Sequence, residues 1–167
     1  PVLPDLLGPG LDVVFCGSAA GSVSAQRGAY YAGPGNRFWP TLFKTGLTPR
    51  PLRPEEFRAA LGFGIGLTDL AKFASGADGD LGRAADDPEA LRRKIEAARP
   101  QALAFVGRRA ARVVLGRAVE PGRQKERIGG AAVFVLPSPS GAARGYWDTG
   151  PWRALADFLG RAPLQKP

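Results

Sequence analysis

Three short apolar runs, each stopped by a glycine or a proline, leave this chain few folds to choose from. Val13-Val14-Phe15-Cys16, preceded by Leu11 and Asp12, ends at Gly17; Ala102-Leu103-Ala104-Phe105-Val106 ends at Gly107; Ala132-Val133-Phe134-Val135-Leu136 ends at Pro137. Runs of this length without polar alternation are strands buried on both faces, as in a parallel sheet covered by helices. Helix-like segments fall between and after them, at residues 37–45, 54–61, 87–99, 108–115 and 151–159. The alternation predicts an α/β fold with a mainly parallel sheet, residues 1–167 forming one domain. Residues 74–87, rich in Gly, Ala and Asp, read as a long exposed loop.

Composition narrows the chemistry. The chain contains no histidine, which removes Ser-His-Asp and Cys-His nucleophile systems, His-ligated zinc and the commonest general base. Its one cysteine, Cys16, lies inside an apolar run, so neither an internal disulfide nor a cysteine-held metal cluster is available. Acid–base work falls to carboxylates, hydroxyls or lysine. The formal net charge of +8, from 23 Lys and Arg against 15 Asp and Glu, favours a polyanionic partner. No apolar stretch reaches the roughly 20 residues of a membrane span, and the first residues lack the order of a signal peptide. A reduced, cytoplasmic setting is the expectation.

Ligands of open parallel sheets bind beyond the carboxyl ends of the strands, so the loops there carry the functional expectations. Gly17-Ser18-Ala19-Ala20-Gly21 allows close backbone approach to a phosphate or a carbonyl-rich base, and equally makes a tight strand-to-helix turn. Gly28-Ala29-Tyr30-Tyr31-Ala32-Gly33-Pro34-Gly35-Asn36 holds two tyrosines on an irregular segment, as base stacking requires. Asn36 is placed to cap the next helix, with Phe38 and Trp39 in the core. Pro137-Ser138-Pro139-Ser140-Gly141-Ala142-Ala143-Arg144 is a stiff, small-tipped loop backed by a cation, suited to entering a base stack or to forming a surface turn.

Phe15-Cys16-Gly17, Asn36-Arg37-Phe38-Trp39 and Leu136-Pro137 leading to Pro139-Ser140-Gly141 and Arg144 resemble, in order and spacing, the mismatch-specific uracil-DNA glycosylases and their thymine-DNA glycosylase relatives. That resemblance implies a Rossmann-like α/β/α sandwich of the uracil-DNA glycosylase superfamily type, acting as a monomer without cofactor or metal. It also implies that a uracil-type base in a U·G or related mismatch is flipped out of double-stranded DNA and cut from its sugar. Under it, Gly17, Ser18, Ala19, Tyr31, Asn36 and Ser138 meet the base, with Tyr31 stacking on it. Ser140, Gly141, Ala142, Ala143 and Arg144 form the wedge and backbone contacts. The single cysteine sets the chain apart from iron–sulfur branches, and the missing histidine from the branch that uses one.

The chain departs from the family at one telling position. Where the first loop of these enzymes has an asparagine that holds the hydrolytic water, this sequence has Ala19, and Ser138 replaces a usual asparagine. Leu61-Gly62-Phe63-Gly64-Ile65-Gly66-Leu67-Thr68-Asp69 is apolar until its single carboxylate, and a carboxylate in such a place is desolvated and more basic. Asp69 is therefore the expected catalytic residue, the alternative being a cap for a helix over residues 70–73. Two other functions stay open on sequence: a non-catalytic binder of damaged or mismatched DNA, and a small nucleotide-binding α/β protein. The small Ala19 and Ala20 lead to an expectation of a roomy pocket and broad base preference.

Overall fold

A computed structural model describes residues 1–73, 86–142 and 147–163. The three apolar runs form β1 (Val13–Gly17), β3 (Ala102–Val106) and β5 (Ala131–Leu136), every residue buried. Two strands join them, β2 (Ile65–Asp69) and β4 (Gly122–Ile128), in the order β2-β1-β3-β5-β4. All neighbours are parallel except β4, which runs antiparallel to β5.

Successive side chains of a strand point to opposite faces, and the sheet is apolar on both. Val13, Phe15, Ala104 and Phe134 meet α2 (Phe38–Lys44), α5 (Gly150–Phe158) and a 3-10 segment (Pro54–Phe63) through Phe38, Trp152 and Phe57. Val14, Cys16, Phe105 and Val133 meet α3 (Pro88–Ala98) and α4 (Arg108–Leu115) through Leu91, Ile95 and Val114. The result is the expected three-layer α/β/α sandwich. No helix among the described residues is long and apolar enough to cross a membrane.

Two strands and one helix were not expected from the sequence. β2 replaces the irregular apolar run, and residues 70–73 after it are a turn rather than a helix, so Asp69 has no helix there to cap. Gly66 interrupts its pattern because the N-terminal segment crosses there: Leu6 and Leu67 exchange backbone hydrogen bonds of 2.9 and 2.8 Å. A Cβ at Gly66 would lie 2.8 Å from the Leu6 carbonyl oxygen. β4, Gly-Arg-Gln-Lys-Glu-Arg-Ile, is a polar edge strand joined to β5 by Gly129 and Gly130, at φ 55° and 81°, the left-handed pair that a two-residue hairpin turn needs. The short helix α1 (Ser22–Arg27) follows the glycine-rich loop. The expected helices 37–45, 87–99 and 151–159 appear within a residue at each end, 108–115 appears as α4, and 54–61 is the 3-10 segment. Most of the expected loop 74–87 lies outside the described residues; at its end the Asp87 side chain caps α3 by accepting from Ala90 N–H.

Because β1, β2, β3 and β5 are parallel, their carboxyl ends share one edge of the sheet. β1 connects outward to β2 on one side and borders β3 on the other, which opens a crevice at that edge.

Candidate active site

Asp69 is the last residue of β2 and stands beside Gly17, the last of β1. Hydrogen bonds of 2.8 Å from Leu70 N to Gly17 O and from Ala71 N to Ser18 O carry the pairing past the strand ends and fix the carboxylate between them. It is 5% exposed. Gly17 has a steric reason to be glycine, since a Cβ there would lie 2.8 Å from Asp69 Oδ1 and 3.0 Å from Tyr31 Oη. The carboxylate and the phenol thus converge over the same backbone position. The Tyr31 hydroxyl is buried without a hydrogen-bond partner.

Tyr31 has a left-handed backbone, φ 54°, which costs a non-glycine residue about 1–3 kcal/mol. The surroundings enforce it. Its ring stacks on Phe38 at 4.0 Å and 20°, Trp39 Nε1 donates to the Tyr30 carbonyl at 2.9 Å, and Ala32 N donates to Ser24 Oγ at 2.9 Å. Tyr30, the other tyrosine, is buried behind it and belongs to the core.

Tyr31 and Asp69 open onto a cavity of about 540 Å³, within the range of small-molecule sites. Asn36, Ser138, Ser140 and Ala142 line it too. Gly17, Ser18 and Ala19 do not: the first two are buried, and the loop first meets the cavity at Ala20 and Gly21, one or two residues later than expected. Asn36 Oδ1 accepts from Phe38 N at 2.9 Å, but Arg37 rather than the expected Asn36 is the N-cap of α2; the bond leaves the two Asn36 amide N–H donors for the cavity. The two far loops are stapled by Arg37 N donating to Pro139 O at 2.8 Å. Gly141 packs where a Cβ would come 2.8 Å from the Pro34 carbonyl oxygen. Ser138 and Ser140 Oγ each accept a 3.3 Å hydrogen bond from the backbone two residues on, stiffening the tip. Ala143 and Arg144 lie outside the described residues.

Burial pushes the Asp69 carboxyl up to about 6, against the pull of Lys72. Burial also raises the Tyr30, Tyr31 and Cys16 groups, with the Asp69 charge adding to it, so all three stay protonated and neutral. Sequence reasoning missed a charged cluster behind Asp69. Lys72 pairs with Asp69 at 3.9 Å and with Asp5 at 3.0 Å, and Lys94 pairs with Asp5 at 2.8 Å. The spacing of Lys72, three residues after Asp69, was the one local signal for it. Among the described residues no three carboxylate, thiol or imidazole groups stand close enough to hold a metal ion.

A mostly parallel sheet flanked by helices, with an aromatic wall and a desolvated carboxylate at its carboxyl edge, defines a Rossmann-like α/β protein with a ligand site at that edge. The fold matches the solution NMR structure of a candidate uracil DNA glycosylase from Methanosarcina acetivorans with a TM-score of 0.64. The match covers 95% of this chain and 97% of that one, at 22% sequence identity. The family model of the uracil DNA glycosylase superfamily matches residues 4–157, and the chain belongs to that superfamily. Membership places it among the DNA glycosylases, hydrolases of DNA repair.

Proposed function

We propose that this glycosylase acts on a uracil-type base, with thymine and related bases as further substrates, in mismatched double-stranded DNA. The base flips into the cavity and Asp69 supplies the carboxylate for hydrolysis. The observation that carries this is the position of Asp69: a desolvated carboxylate lining a cavity of about 540 Å³, with room for a nucleobase.

The scissile C–N bond breaks through an oxocarbenium-like sugar while negative charge gathers on the departing pyrimidine, as in glycoside hydrolysis. A carboxylate can take a proton from the attacking water or stabilise the cationic sugar. With its carboxyl near 6, Asp69 is ionised at neutral pH and still basic enough for either task. Asn36 amide donors and backbone N–H groups of the first loop serve the carbonyl-rich base and its departing charge. Tyr31, one face of which rests on Phe38, stacks on the base with the other. Ser140, Gly141, Ala142, Ala143 and Arg144 enter the vacated space and offset the few kcal/mol that unstacking costs.

The replacement of the family's water-holding asparagine by Ala19 also favours a second reading, a binder without catalysis. An incision assay separates the two, with U·G, T·G and U·A duplexes and single-stranded uracil DNA as substrates and alkali to reveal abasic sites. Cleavage led by the mismatched duplexes is expected; retarded migration without cleavage establishes the binder. Strict confinement to U·G contradicts the breadth.

A further inference from the structure

The charge cluster behind Asp69 has no part in the hydrolysis as described, yet it is built with unusual closure. Lys72 is 11% exposed and sits on the turn after β2. Its Nζ is 3.0 Å from Asp5 Oδ1, donates to Tyr30 Oη at 3.0 Å and lies 3.9 Å from Asp69 Oδ2. Tyr30 in turn donates to the Pro4 carbonyl at 3.0 Å, so its hydroxyl can only accept from Lys72. Asp5 also accepts from Thr68 Oγ1 at 2.7 Å and pairs with Lys94 of α3 at 2.8 Å. The Lys72 carbonyl accepts from Val2 N at 2.7 Å. The ammonium group is therefore fixed by the N-terminal segment, the tyrosine loop and β2 together.

The geometry points to Lys72 as a positioning residue for the reaction: it keeps the Asp69 carboxylate charged and in place at the cavity floor, and Asp5 and Tyr30 hold it there. This rests on Asp69 being the carboxylate that serves the hydrolysis. Charge balance gives the physical reason. The groups facing Asp69 are Lys72 from the turn, Asp5 from the N-terminal segment, Lys94 from α3, Cys16 from β1 and Tyr30 and Tyr31 from their loop. The thiol and phenols are neutral, so the cluster holds two cations and two carboxylates when Asp69 is ionised. Without Lys72, one cation remains for the buried Asp69 and the half-buried Asp5 carboxylates, and a like charge favours protonation of one of them. Asp5, held below the usual carboxylate range against its burial, keeps its bonds from Lys94 and Thr68 when Lys72 is gone, whereas Asp69 loses its ion pair. The proton then goes to Asp69.

The test is single-turnover cleavage of a U·G duplex between about pH 5 and pH 9, where a general base titrates. The full chain is compared with Lys72→Met and Lys72→Arg. The rate of the unmodified protein is expected to rise through about pH 6. Lys72→Met should move that limb up by about one pH unit, a tenfold loss below it, and recover at alkaline pH, while Lys72→Arg keeps the original limb. An unmoved limb, or an equal loss at every pH, overturns the role. If Lys72→Met does not fold, Lys72→Gln keeps donors for Asp5 and Tyr30, removes the charge and is read the same way. Asp69→Asn separates the levels: near-normal cleavage by it overturns the carboxylate mechanism and this role together. An inactive Asp69→Asn beside an unmoved Lys72→Met limb overturns this role alone.

Discussion

Asp69 is stored at a cost. An acid whose carboxyl rises from 3.8 to about 6 on folding binds a proton more tightly in the native state, so it makes the fold less stable as pH climbs from near 4 to near 6. At neutral pH the penalty is of the order of 3 kcal/mol, since each tenfold gain in proton affinity on folding corresponds to about 1.4 kcal/mol. Asp69→Asn should therefore melt higher than the unmodified protein at neutral pH, with the difference vanishing below about pH 4 where both side chains are neutral. Thermal unfolding of both proteins across that range checks it; equal melting temperatures at neutral pH would mean that Asp69 is not desolvated. Gly17 gives a second residue-scale prediction. Gly17→Ala pushes a methyl group against Asp69 Oδ1 and the Tyr31 hydroxyl, and overpacking of this kind costs typically about 1–3 kcal/mol. Its melting temperature and its single-turnover rate should both fall, and an unchanged rate would show that the two side chains need not converge. The carboxylate was legible in the sequence because it ends an apolar run. Its partners were less so: Lys72, three residues on, gave one local signal, while Asp5 is distant in sequence and only the pairing of the N-terminal segment with β2 brings it to Lys72.

At the scale of elements, what could be read in advance follows burial. β1, β3 and β5 are buried on both faces and announce themselves as unbroken apolar runs. β2 is equally buried, but Gly66 and Asp69 disguise it, the first to admit the N-terminal segment and the second to serve the cavity. β4 alternates between exposed and half-buried polar residues, as an edge strand protected by charge does, and only the Gly129-Gly130 turn marks it. The expected contact of Gly17, Ser18 and Ala19 with the cavity moved to Ala20 and Gly21 because β1 extends through Gly17 and Ser18 continues the pairing to Ala71. Gly66→Ala tests the coupling between edge and site. Its methyl group would displace the Leu6 backbone, and with it Asp5, so stability should drop by about 1–3 kcal/mol and the acid limb of cleavage should shift together with it. A loss of stability with an unmoved limb would separate the N-terminal segment from the chemistry.

For the whole molecule, the excess of 23 basic over 15 acidic residues is expected to act through DNA phosphates. Each phosphate contact that releases a counterion contributes a slope of about −0.9 to the logarithm of affinity against the logarithm of salt concentration. Duplex binding followed over a salt series should give a steep negative slope, and a slope near zero would remove nucleic acid as the partner of this charge.

The most direct measurement is the single-turnover rate of Asp69→Asn on a U·G duplex at neutral pH, taken beside the unmodified protein and with DNA affinity measured on both. An amide keeps the shape of the carboxylate and loses its charge and basicity, and a positioned general base is worth about 10²–10⁴-fold. A loss in that range with affinity retained is the predicted result; cleavage within a few-fold of the unmodified protein would contradict the assignment of Asp69.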